Sequence, residues 1–175
     1  MKFPSTLVQK HYSSPLGPII LVASENALIG AWFEHQDHLP EQLRSPGVWH
    51  HAPEQAVLRH ASRQLKEYFE GQRKSFELPL DLSFGTPFQQ AVWQALLKIP
   101  HAHTCCYADI ATGIGRPSAT RAVGAAVGRN PLSIVVPCHR VIGADGSLTG
   151  YAGGLERKTF LLDLEGGLNA QGSLL

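Results

Sequence analysis

Apolar residues fall in short runs over the first third of the chain. Ile19-Ile20-Leu21-Val22-Ala23 and Leu28-Ile29-Gly30-Ala31-Trp32-Phe33 flank the turn-rich Ser24-Glu25-Asn26, a spacing that predicts a β-hairpin. An earlier strand around Leu7 to Tyr12 is interrupted by Pro15-Leu16-Gly17-Pro18. From His35 to Pro53 the sequence is polar, proline-interrupted and without a period, and reads as loop. The period then becomes helical. Leu58, Ala61, Leu65, Tyr68 and Phe69 share one face, and Gly71 stands where a helix end wants glycine. Residues 1–80 are therefore expected to form a small antiparallel sheet with one helix.

After a connector from Leu78 to Gly85, Thr86-Pro87-Phe88-Gln89 has the layout of a helix start. Thr is the N-cap, Pro takes the first helical position and Gln stands three residues on. Phe88, Val92, Ala95, Leu96 and Ile99 mark an apolar face that runs to Pro100. Tyr107 to Thr112 predicts a short helix, Gly113 to Pro117 a turn, and Ser118 to Val127 a second helix, the outline of a helix-turn-helix. Ile134-Val135-Val136 is apolar and β-branched and reads as a buried strand or extended core segment. The expected class is α+β: an N-terminal α/β domain over 1–80, joined to a mostly helical, winged-helix-like domain over 81–175. Gly166 to Leu175 carries little pattern and is expected to fray.

Composition narrows the function classes without naming one. With 175 residues, 43% hydrophobic and 17% charged, the chain suits one or two small cores. The net charge of +1 announces no polyanionic partner, but its distribution is uneven. Between Phe88 and Arg140, Lys98, Arg116, Arg121, Arg129 and Arg140 face the single acid Asp109. Three cysteines, two of them adjacent, make no disulfide framework, and no apolar stretch or leader pattern points to a membrane or to export. The expectation is a soluble, cytoplasmic protein kept reduced.

Two segments carry candidate chemistry. Ser118 to Gly128 is clothed in small side chains, with Arg121 as its one long cation. Such a helix either packs tightly on a neighbour or presses into a DNA groove. Pro137-Cys138-His139-Arg140 is the densest chemical cluster. A thiol needs a base or a cation before it is a good nucleophile, and adjacent residues on an extended chain point opposite ways. His139 therefore reaches Cys138 only through a bend or a bridging water, with Glu165 as a candidate orienter of the imidazole. A buried, inert cysteine is the bland alternative. Cys105-Cys106 lacks metal-ligand spacing and reads as a pair of core thiols, His35, His38, His50, His51, His101 and His103 read as solvated, and Gly113-Ile114-Gly115 is no dinucleotide fingerprint.

The run Ile134-Val135-Val136-Pro137-Cys138-His139-Arg140-Val141-Ile142, followed by Gly150-Tyr151-Ala152-Gly153-Gly154, resembles the active-site signature of the O6-alkylguanine-DNA alkyltransferases, also called methylated-DNA–protein-cysteine methyltransferases. The likeness extends through Arg121-Ala122-Val123-Gly124, Asn130-Pro131 and Gly85 to Phe88, and is fainter at Ser14 to Pro18. The resemblance implies DNA repair by direct reversal, in a C-terminal domain that both binds DNA and accepts the alkyl group. O6-alkylguanine, with O4-alkylthymine as a further candidate, is flipped from double-stranded DNA and its alkyl group passes irreversibly to Cys138. It implies that His139 takes the thiol proton through a water, that Glu165 polarises His139, that Asn130 buttresses the active-site turn, and that Tyr107 bonds the flipped base. The carbonyls of Cys138 and Val141 would accept from the guanine amino group and the N–H of Ala152 would face O6. Tyr151 and Gly153 would complete the pocket wall. The helix carrying Ala119, Thr120, Arg121, Ala122 and Gly124 would enter the minor groove, with Arg121 filling the gap of the flipped base. No metal and no cofactor are implied, and the protein would act as a monomer. Arg140 either touches DNA or pairs with a carboxylate to brace the turn.

Departures from the family pattern are Ala102 for a common glycine, Thr120 for a common alanine, and Ser133, which bears on the bulk of accepted alkyl groups. No cysteine precedes Cys105, so the N-terminal zinc site of some members cannot be built in the usual way. The rival readings are a non-catalytic binder of alkylated bases, a Cys-His hydrolase, and a regulator switched by cysteine methylation.

Overall fold

The computed structural model describes residues 3–44 and 47–167, so most of the stretch expected to fray lies outside the described residues. The chain divides into two compact units, Met1–Gly85 with Pro131–Val135, and Thr86–Asn130 with Val136–Leu175. The first holds an antiparallel-rich sheet and a helix, and the second is mostly helical, as an α+β chain requires.

In the first unit, β1 (Val8–Ser14), β2 (Gly17–Ala23), β3 (Leu28–Phe33) and β4 (His50–His51) form a sheet in the order β3-β2-β1-β4. β1, β2 and β3 pair antiparallel, and β4 adds in parallel to β1. The stretch expected as plain loop thus supplies an edge strand, and also a 3-10 turn at Glu41–Arg44. β3 is apolar throughout, and β2 from Ile19 on, because both faces of the sheet are covered. Ile20, Val22, Ile29 and Trp32 pack with Phe3, Leu7 and Trp49, while Ile19 and Leu21 project to the other face and are fully buried too. Helix α1 (Ala56–Phe69) packs on the sheet through Val57, Leu58, Ala61, Leu65 and Tyr68. Gly30 is glycine for a steric reason: a Cβ there would fall inside the indole of Trp32.

The outer edge of β3 is occupied within this unit. Leu28 donates to the Pro79 carbonyl at 2.8 Å, and Ala31 donates to the Pro131 carbonyl at 2.8 Å. Ser133 returns a bond to the Ala31 carbonyl at 2.8 Å, and its hydroxyl lies 3.1 Å from the Gln36 side-chain oxygen. The segment Ile134-Val135-Val136, expected as a buried strand or extended core segment, is buried but is neither: it forms a turn. After Leu132 the chain turns, with Ile134 in the left-handed region at φ 72 and Val135 donating to the Ser133 carbonyl at 2.9 Å. A β-branched residue there is strained by about 1–3 kcal/mol. Burial of Leu132, Ile134, Val135 and Val136 compensates.

The second unit comprises α2 (Pro87–Leu96), β5 (Cys105–Cys106), α3 (Tyr107–Gly113), α4 (Thr120–Gly128), β6 (Val141–Ile142) and α5 (Leu155–Leu164). The capping box at the start of α2 is complete: Thr86 N donates to Gln89 Oε1 at 2.9 Å and Gln89 N to Thr86 Oγ1 at 3.3 Å. α2 ends at Leu96 and not at Pro100, because the residue before a proline avoids helical geometry and the last turn tightens, Ile99 donating to the Leu96 carbonyl. α3 and α4 form the helix pair expected from the pattern, but the second begins as a 3-10 turn at Pro117–Ala119 before becoming α-helical at Thr120. α4 is held by Val123, Ala126 and Val127, and by Trp93, whose indole N–H donates to the Ala126 carbonyl at 2.9 Å.

Candidate active site

Cys138, His139 and Arg140 occupy a single 3-10 turn that leads directly into β6, and β6 is fixed by its parallel pairing with β5. The turn is held from three sides. Asn130, buried just after α4, donates from Nδ2 to the Val136 carbonyl at 2.8 Å and to Cys138 Sγ at 3.0 Å. Glu165, at the end of α5, lies with Oε1 2.8 Å from His139 Nε2. Arg140 binds the same carboxylate twice, Nε to Oε2 and Nη2 to Oε1, both at 2.9 Å, and its Nη1 donates to the Ile99 carbonyl at 2.6 Å. Arg140 thus braces the turn, the second of the two roles open to it from the sequence. Ala102 N also donates to Glu165 Oε2 at 3.3 Å, and Ala102 sits at φ 64, a left-handed position that glycine would take without strain.

These contacts set the protonation states. Burial pushes the Cys138 thiol up to about 11, against the hydrogen bond from Asn130 and the charge of Lys158. At rest Cys138 is a neutral thiol, and to act as a nucleophile it would need a base. Burial lowers His139 below its ordinary value although Glu165 pulls the other way, so the imidazole is neutral. Burial opposes ionisation of Glu165, but the bonds and charges of His139 and Arg140 hold its carboxyl well below the usual carboxylate range. An ionised carboxylate on Nε2 fixes the proton there and leaves Nδ1 as the basic nitrogen, and Nδ1 is buried with no hydrogen-bond partner among the described residues. Cys138, His139, Glu165 and Asn130 are therefore brought together.

The other expected residues lie in the same unit. Val141 and Gly153 are buried and Tyr151 and Ala152 half-buried. The Tyr151 hydroxyl is a second buried polar group without a partner among the described residues. Tyr107 opens α3 and its hydroxyl reaches the carbonyls of Thr149 at 3.2 Å and Gly150 at 3.4 Å. On α4 and the turn before it, Arg121 and Ala122 are exposed and Ala119, Thr120 and Gly124 half-buried, while Val123 faces inward. Sequence reasoning missed Lys158. It is fully buried and its ammonium donates to the carbonyls of Val141 and Thr149. The signal available was its place on α5, one position from Arg157 and among the otherwise apolar inward residues Leu161 and Leu162.

Cys105 and Cys106 are half-buried in β5, less enclosed than core thiols would be. No group of three or more His, Cys, Asp and Glu among the described residues could hold a metal ion, and no described helix is long and apolar enough to cross a membrane.

Comparison with known proteins agrees along nearly the whole chain. Residues 7–82 match the family described as 6-O-methylguanine DNA methyltransferase, ribonuclease-like domain, and residues 87–167 match its DNA binding domain. The methylated-DNA–protein-cysteine methyltransferase of Methanosarcina acetivorans is 48% identical over 155 residues, 89% of this chain and 96% of that protein. The constitutive methylated-DNA–protein-cysteine methyltransferase of Bacillus subtilis is 47% identical over 153 residues, 87% of this chain and 91% of that protein. Among solved structures, Mycobacterium tuberculosis OGT in complex with DNA is 45% identical, with a TM-score of 0.81 over 90% of this chain and 91% of that one.

Proposed function

The chain belongs to the 6-O-methylguanine DNA methyltransferase family, whose activity is alkyl transfer from DNA to a protein cysteine, and on that premise we propose that Cys138 is the acceptor and that O6-alkylguanine in duplex DNA is the donor. The observation that carries the proposal is the buried turn in which Asn130 touches the Cys138 sulfur while Glu165 and Arg140 lock the adjacent His139. His139 Nδ1 takes the thiol proton through a bridging water, and Glu165 stabilises the imidazolium that forms. The thiolate attacks the alkyl carbon in line. A C–S bond forms, the C–O6 bond breaks with its electron pair going to O6, and the proton held by the His139 imidazolium returns through the water to the guanine, which stays in the DNA. The carbonyls of Cys138 and Val141 receive the exocyclic amino group, the Ala152 N–H meets O6, and Tyr151 and Gly153 wall the base. Tyr107 releases the Thr149 carbonyl to bond the flipped nucleotide.

DNA approaches through α4 and its preceding turn. Small side chains at Ala119, Thr120, Ala122 and Gly124 allow the helix into the minor groove, and the exposed Arg121 fills the space of the everted base. One chain acts alone, in a reducing cytoplasm that keeps Cys138 a thiol. No metal or cofactor takes part.

Arg121→Ala separates flipping from chemistry. Its rate on alkylated duplex is expected to fall by roughly tenfold or more, since flipping is a cost of a few kcal/mol, while its rate on free O6-benzylguanine stays that of the wild-type chain. Mass mapping places the transferred group on the Cys138 peptide in both. Equal losses on the two substrates, or an alkyl group on Cys105 or Cys106, contradict the proposal.

A further inference from the structure

Lys158 is a costly residue to bury. An ammonium taken out of water loses far more than a leucine or methionine would, so a side chain that served only to fill space would not be charged. Its side chain is 0% exposed, and its ammonium is held by two carbonyls, those of Val141 and Thr149. Val141 follows directly on the Cys138–Arg140 turn, and Thr149 precedes the Gly150–Gly154 stretch. The Thr149 carbonyl is also within 3.2 Å of the Tyr107 hydroxyl. One ammonium thus ties α5, β6, the loop that leads to Tyr151 and, through the shared carbonyl, the start of α3.

We propose that Lys158 is a positioning residue for alkyl transfer, its buried ammonium clamping the Val141 and Thr149 carbonyls into one pocket wall. This role does not follow from the Cys138, His139 and Glu165 constellation, although the proposal rests on Cys138 being the acceptor. Burial lowers the lysine to about 8 against the pull of Cys138, so at neutral pH it is still an ammonium and still donates to both carbonyls.

The test compares the full-length wild-type chain with Lys158→Met, Lys158→Gln and Lys158→Arg. Two quantities are read: single-turnover methyl transfer from an O6-methylguanine duplex, and the pH dependence of Cys138 modification by iodoacetamide, followed by peptide mass. In the Met variant, which has no donor for the two carbonyls, single-turnover transfer falls by roughly tenfold or more at saturating duplex, because a displaced wall misplaces the base. The Gln and Arg variants, each of which keeps a donor, recover part of that loss. Cys138 modification by iodoacetamide keeps its wild-type rate and pH dependence in all three, since that reagent needs no pocket wall. Wild-type transfer in the Met variant overturns the proposal, and so does a loss of transfer matched by an equal loss of Cys138 modification, which marks a disturbed turn. If the Met variant fails to fold, the Gln variant decides: reduced transfer with unchanged modification supports the clamp, and wild-type transfer overturns it. The iodoacetamide arm needs no DNA, so it separates failure of this proposal from failure of the acceptor assignment.

Discussion

Cys138→Ser is expected to bind alkylated duplex as the wild-type chain does and to transfer nothing. Serine keeps the shape of the buried slot and can still accept from Asn130 Nδ2, which lies 3.0 Å from the sulfur, so the turn is preserved. What is lost is the nucleophile. Burial already pushes the thiol up to about 11, and an alcohol in the same slot is harder to ionise by several further units, beyond what a neutral imidazole can assist. Gel-shift affinity and single-turnover transfer measured on one preparation check this. Transfer surviving in the variant places the acceptor elsewhere.

The second large effect concerns the carboxylate. Glu165→Gln leaves Arg140, which is only 7% exposed, with its charge uncompensated, and removing one partner of a buried pair costs about 3–5 kcal/mol. It also leaves His139 without the group that fixes its tautomer and stabilises its cation, so transfer falls by roughly 100-fold or more. The pH dependence has a definite sign. The folded carboxyl is held below its ordinary 4.5, so its stabilisation is complete above that value and is lost as the pH falls below it. His139, lowered by burial, adds an acid-side loss that begins as the pH falls below its ordinary 6.5. Melting curves of wild type and variant between neutral and acid pH should therefore converge as the pH falls. A gap that stays constant contradicts the buried pair as its source.

Local signals in the sequence account for much of the fold. The capping residues Thr86 and Gln89 meet as their spacing predicts, and the helical period from Leu58 to Phe69 lies within α1. What a local pattern cannot carry is pairing at a distance. Ile134-Val135-Val136 has the composition of a strand, but its neighbours Leu132 and Ser133 are bound to the edge of β3 a hundred residues earlier, and the chain must turn at Ile134. β5 and β6 are only two residues each, too short for a period, and exist because each pairs with the other. The site divides the same way. Nothing in the spacing of Arg140 and Glu165, 25 residues apart, announces a bidentate pair, and the sequence offers Glu165 only as a candidate orienter of His139, a role that the resemblance then implies. Lys158 was hidden by an expectation that generally holds, that a helical lysine is solvated.

The central claim is that the chain consumes itself. A thioether on Cys138 offers water no leaving group under mild conditions. Mixing the protein with excess O6-methylguanine duplex, and following repaired DNA together with intact protein mass, tests this directly. Repair is expected to stop at one guanine per chain, with every chain heavier by one methyl group carried on the Cys138 peptide. Repair that continues past equivalence while the protein mass stays unchanged would contradict it.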